Sequence, residues 1–201
     1  MSDDRFQALP SNRVRERGEQ LVAPFIQKLA DGGQYLIIEG GPLALYLQKA
    51  CGDYHLRIHG EIGTLELKTE EKSTGNLFLE MFSNRNLQDP AKHFERGTTP
   101  GWLVTSKARW LAYAFLDYGV VYVCSMLQLQ RWAFCKERVF SGDYPLKCQG
   151  RYPQLNDTWG FCAPIRVLQH DLGRYFHKFR VNQGELFPEV YQPLELVSEA
   201  S

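Results

Sequence analysis

The chain has 201 residues, 44% hydrophobic and 23% charged, the balance of an ordinary soluble globular domain with one sizeable core. Lys plus Arg number 23 and Asp plus Glu 23, so zero formal charge argues against a basic non-specific nucleic-acid binder and equally against an acidic nucleic-acid mimic. No apolar run approaches the ~20 residues of a membrane helix, and "MSDDRFQALPSNRVRERGEQ" lacks a signal-peptide core.

Cys51, Cys124, Cys135, Cys148 and Cys162 are odd in number and form no C-x-x-C pair, which fits neither a disulfide framework nor a zinc module. Cys124, inside "VVYVCSM", reads as a core thiol. The expected setting is a reducing cytoplasm with no membrane association.

In chain order, Val14, Leu21, Val22, Phe25, Ile26 and Leu29 recur at helical spacing between Arg13 and Ala30, with Pro24 expected to kink or divide the helix. "QYLIIE" reads as a short strand, and "PLALYLQKA" suits a short helix or an extended segment equally. Residues 54–59 and 62–68 alternate as a hairpin closed by Gly60-Glu61, with Leu56, Ile58, Leu65 and Leu67 on the buried face. "NLFLEMF" (76–82) supplies a third strand of an antiparallel meander, and residues 84–100 read as a polar loop.

"TSKARWLAYAFLDYG" reads as a helix capped at Thr105 or Ser106, with Ala108, Leu111, Ala112 and Phe115 inward. "GVVYVCSM" is a strand covered on both faces, and "LQLQRWAFCKERVF" the next helix. A short strand near "WGFCAP" and a helix from Ile165, begun by Pro164, complete the order. A helix between the third strand and the buried one suggests a crossover to a parallel neighbour. The expected fold class is α/β, a mixed central sheet flanked by helices in a single domain over 1–201.

The hairpin carries the chemistry. With Gly60-Glu61 as the turn, His59 faces Ile62, His55 faces Glu66 and Asp53 faces Lys68, all on one side of the ribbon. Asp53 and Glu66 become diagonal neighbours with Cβ atoms roughly 7 Å apart. Two carboxylates about 5 Å apart repel by roughly 3 kcal/mol at an effective dielectric near 20. Lys68 offsets part of this, and Mg²⁺, which prefers carboxylates and retained water, would offset the rest. A solvated strand face with a cross-strand Asp–Lys pair is the plain alternative.

Gly52-Asp53 followed by Glu66-Leu67-Lys68, with the element order helix, three strands, helix, strand, resembles the PD-(D/E)xK nuclease superfamily with its restriction-endonuclease-like fold. The likeness covers residues 13–138, a core of order α-β-β-β-α-β, with 139–201 as a C-terminal extension. It implies that Asp53, Glu66 and the Leu67 carbonyl hold Mg²⁺, for which Mn²⁺ can substitute, and that Lys68 lies at the attacking water. Gly52 stands where the family carries proline. "TGNLFLE" and "GWLVTSKARWLAYAF" look like segments of small phage and bacterial members. The implied activity is phosphodiester hydrolysis by an endonuclease, with DNA favoured over RNA as partner, and a homodimer would allow two-strand cutting.

Supporting residues are His55 on the same face, Glu19 at the edge of the first helix's apolar stripe, and Glu80, which either supports the metal site or bonds a backbone group. Lys72, Thr74 and Asn76, with Ser73, follow the E-x-K strand and could position a phosphate, and Ser106 and Lys107 begin the next helix. Arg166, His170, Arg174 and Lys178 recur every four residues and would form one basic helical stripe along nucleic acid, or a solvated face. Trp102 could stack on a base, whereas Trp110 suits the core. The competing function is a non-catalytic module that keeps the nuclease fold and binds nucleic acid or protein.

Overall fold

The apolar spacing near the N-terminus forms one helix, α1 (Pro10–Leu29), with Pro24 inside it rather than dividing it. The carbonyl that loses its helical partner to Pro24 belongs to Gln20, an exposed position. This is a computed structural model, which describes residues 10–30, 35–37, 52–58, 61–85, 97–135, 142–149, 157–182 and 185–188. "PLALYLQKA", the hairpin loop at 59–60 and most of the polar loop 84–100 lie outside the described residues.

The strands in chain order are β1 (Tyr35–Ile37), β2 (Tyr54–Ile58), β3 (Glu61–Glu70), β4 (Asn76–Asn84), β5 (Thr99–Pro100), β6 (Trp110–Phe115), β7 (Val120–Ser125), β8 (Lys147–Cys148), β9 (Trp159–Pro164), β10 (Phe176–Asn182) and β11 (Glu185–Pro188). The later helices are α2 (Trp102–Thr105), α3 (Met126–Ala133) and α4 (Ile165–Leu172). A mixed seven-stranded sheet runs β1-β2-β3-β6-β7-β10-β11, and a second sheet runs β5-β4-β9-β8. The protein is mixed α/β.

β1, β2 and β3 are antiparallel neighbours, and β3 pairs with β6 in parallel. The meander therefore takes its third strand from "QYLIIE" and not from residues 76–82. β4 leaves the main sheet and pairs with β9, so that Leu77 and Leu79 pack onto the main sheet's face instead of hydrogen-bonding to its edge. The segment read as a helix from Thr105 is a helical turn, α2, followed by β6. All six β6 residues are buried, and a strand covered on both faces shows the same unbroken apolar run as a buried helix. β7 is antiparallel to β6, so the parallel crossover ends at β6, one strand earlier than expected.

Alternation along β3 divides the core in two. Leu65 and Leu67 face α1, where Val22, Phe25 and Ile26 close over them with Trp110, Ala112 and Ala114. On the other side Leu111, Tyr113 and Phe115 meet Leu77, Leu79 and Phe161 of the second sheet, with Leu103, Met126, Leu129 and Leu168 from the helices. Cys124 lies in this layer, and burial pushes its thiol up to about 12, as a core thiol should behave. Glu66, Lys68 and Glu70 alternate toward this second layer. The fold places charged groups between two sheets.

Candidate active site

β2 and β3 pair with Ile58 opposite Glu61 and His55 opposite Thr64, two positions away from the expected register. One rung further, Asp53 falls opposite Glu66 rather than Lys68. A two-residue slip leaves every side chain on its original face, so burial does not discriminate between the registers. Asp53, Glu66 and Lys68 share one face in this register as well, with the two carboxylates directly opposite instead of diagonal.

Gly52 enters β2 with φ +84°, and a Cβ there would lie 2.9 Å from the Leu65 carbonyl oxygen. Proline is confined near φ −65° and cannot take this conformation, which explains glycine at the position before the aspartate. The Asp53 amide then donates to the Leu65 carbonyl at 2.9 Å, and the Leu67 amide donates to Asp53 Oδ2 at 2.7 Å. The carboxylate thus continues the ladder by one side-chain rung. In an extended residue N–H and C=O point to the same neighbour, so the Leu67 carbonyl is aimed at Asp53's side as well.

Glu66 is buried in mid-strand. Lys68 Nζ lies 2.6 Å from its Oε1, and the Ser106 hydroxyl donates to its Oε2 at 3.2 Å. Lys68 keeps 30% of its side chain exposed against 10% for Glu66, and its ammonium sits 5.8 Å from the Trp102 ring centroid. Burial, then the charge of Glu66, pushes the Asp53 carboxyl above its ordinary 3.8, while Lys68, the Leu67 amide and Arg15 act in the other direction. Burial disfavours the Lys68 ammonium, but Glu66, Asp53 and Glu80 outweigh it and hold the amine above its ordinary value. Lys68 is therefore a cation and a donor at neutral pH, with no lone pair to act as a base.

The oxygens that could hold a hard cation here are those of Asp53, Glu66 and the Leu67 carbonyl, the donor type such ions take. Among the described residues, no group of three His, Cys, Asp or Glu side chains is arranged to hold a metal.

The supporting residues divide. His55 lies on the same face, and its Nε2 is enclosed without a hydrogen-bond partner. Glu80 is half-buried, accepts from the Ser83 hydroxyl at 2.6 Å, and contributes charge to Lys68. Glu19 pairs with Arg15 at 2.7 Å on α1, and it is Arg15 of this pair that acts electrostatically on Asp53.

The nucleic-acid residues are rearranged more thoroughly. Ser106 does not begin a helix; it follows α2, is buried, and binds Glu66, while Lys107 is exposed on the connection to β6. Lys72 and Thr74 are exposed, but their loop is folded on itself. The Asn76 amide donates to the Thr74 carbonyl at 3.1 Å, and the Ser73 amide to Asp117 at 2.9 Å, at the β6–β7 turn beyond the site. No basic stripe exists on one helix: α4 stops at Leu172, where Gly173 has φ +50°. Arg166 stays on α4, Arg174 lies in a 3-10 turn against Tyr175, and Lys178 is in β10 opposite Tyr122. Trp110 is in the core as expected, and Trp102 is buried under Lys68 instead of offering a stacking face.

Sequence reasoning missed the tie from Ser106 to Glu66 and the part of Gln130, whose Nε2 donates to the carbonyls of Leu103 and Ser106 at 3.0 Å each. It also missed Tyr113, whose hydroxyl donates to Glu70 and accepts from the Phe78 amide at 3.2 Å, stitching the two sheets. None has a local sequence signal, because each partner comes from a distant segment. No protein-family model, curated protein or solved structure matches the chain, so the arrangement of Asp53, Glu66 and Lys68 is the ground on which a functional reading stands.

Proposed function

We propose that the chain is a Mg²⁺-dependent nuclease that hydrolyses phosphodiester bonds, with DNA the favoured substrate. The single observation that carries this is Lys68 ion-paired to buried Glu66 at 2.6 Å, on the face shared with Asp53. The order of elements supports it: α1 over one face, the antiparallel β1-β2-β3 meander, and a crossover to the parallel strand β6, as in a restriction-endonuclease-like core. In this chain the crossover also carries β4, β5 and α2, from which Glu80 of β4 and Trp102 of α2 act on Lys68.

In this mechanism Asp53, Glu66 and the Leu67 carbonyl would hold the ion. Bound there, Mg²⁺ would polarise a phosphoryl oxygen and acidify the attacking water. Lys68, kept protonated by its carboxylate neighbours, orients that water and stabilises the charge that grows on the phosphoryl oxygens. Trp102 covers one side of the ammonium and reduces its hydration.

Incubation with single-stranded, duplex and branched DNA should give Mg²⁺-dependent cleavage that chelator, Asp53→Ala and Lys68→Ala each abolish. Cleavage that persists in the Asp53→Ala/Lys68→Ala double variant would remove the proposal. The occupied oxygens of Glu66 favour a second reading, a non-catalytic binding module, since Lys68 and Ser106 already satisfy that carboxylate. It predicts nucleic-acid or protein binding that needs no metal and survives both substitutions. Among the described residues no helix is long and apolar enough to cross a membrane.

A further inference from the structure

We infer that Ser106, braced by Gln130, is a positioning residue that fixes the metal-facing geometry of Glu66; this rests on the nuclease reading above. Glu66 has two oxygens and a partner at each. Lys68, on the same strand, reaches Oε1, but its long side chain is partly exposed and rotatable. Ser106 reaches Oε2 from another element, forty residues away in sequence, and is itself buried. A short side chain in a closed site has few alternatives, so it sets the plane of the carboxylate.

Ser106 is in turn held on three sides. Its amide donates to the Trp102 carbonyl at 2.9 Å, its hydroxyl oxygen accepts from the Ala108 amide at 3.3 Å, and its carbonyl accepts from Gln130. The same Gln130 amide group takes the Leu103 carbonyl, so α3 clamps the end of α2 at two points. With the hydroxyl oxygen accepting from Ala108, its single proton is directed to Glu66. The chain α3–Gln130–Ser106–Glu66 thus locates a ligand through groups that never touch the ion, the arrangement by which outer-shell partners tune a metal site.

The test uses the full chain, Tb³⁺ as a luminescent probe of hard-oxygen sites sensitised by nearby tryptophan, and Mg²⁺-supported DNA cleavage. Ser106→Ala should weaken Tb³⁺ binding about tenfold and lower kcat by a similar factor, with KM within about twofold. Ser106→Thr, which keeps the hydroxyl, should restore most of both, and Gln130→Met should show a smaller loss in the same direction. If wild type binds Tb³⁺ and cleaves while Ser106→Ala does both equally well, the positioning role is wrong and the nuclease reading stands. If wild type neither binds Tb³⁺ nor cleaves, both fall together. A Ser106→Ala protein that melts far below wild type is replaced by Gln130→Met, whose unchanged Tb³⁺ affinity also overturns the inference.

Discussion

Asp53 is held in a setting that disfavours its own charge. Burial and Glu66 keep its carboxyl above 3.8, so the neutral form favours the fold. The stability it contributes is full below its ordinary value and is lost as pH rises through the raised one. Asp53→Asn retains an acceptor for the Leu67 amide and removes the charge. It should therefore melt higher than wild type near pH 7, lose that advantage below about pH 4, and cleave nothing. Thermal melts in chelator at both pH values check this, and equal melting at neutral pH would contradict the buried-charge account. Stability surrendered at a reactive group is a common feature of working sites.

At the scale of elements, the entry to β2 is as demanding as the site it serves. Gly52→Pro, which restores the residue of the resembled family, should cost stability of about 1–3 kcal/mol through backbone strain and should lower cleavage by displacing Asp53. Denaturant melts and cleavage assays on the same preparation measure both. The elements legible in the sequence were α1, β1, the β2–β3 hairpin, β7, α3 and the β9–α4 junction at Pro164. β6 was not, because its unbroken apolar run follows a Thr105-Ser106 cap signal and fits a buried helix as well as a strand. The sheet to which β4 belongs was not, since a strand's own pattern reveals a buried face and not its pairing partner. Asp53, Glu66 and Lys68 could be grouped from alternation alone, which tolerates a slip of two. Ser106 could not, since its bond to Glu66 depends on where α2 is clamped.

Considered as a whole molecule, the described elements take the chain between the two sheets four times, at β3–β4, β5–β6, β7–β8 and β9–β10. The stretch from β3 to β6 leaves the main sheet, builds β4 and β5, and returns. The stretch from Asp157 to Asn182 gives β9 to the second sheet and β10 to the main one, joined through α4. The layers should therefore unfold together. Amide hydrogen exchange should place the slowest protons of β4 and β7, which share no sheet, in one protection class under conditions where exchange reports stability. Two well-separated classes would indicate layers that open independently.

The hydroxyl of Tyr113 gives this linkage a molecular detail. It stands in the main sheet, one rung across from Lys68, yet accepts the Phe78 amide of the other layer and donates to half-buried Glu70. Any sliding of one layer over the other must first part that junction, at the doorstep of the ion pair. The seam between the layers and the surroundings of the ion pair thereby depend on one side chain.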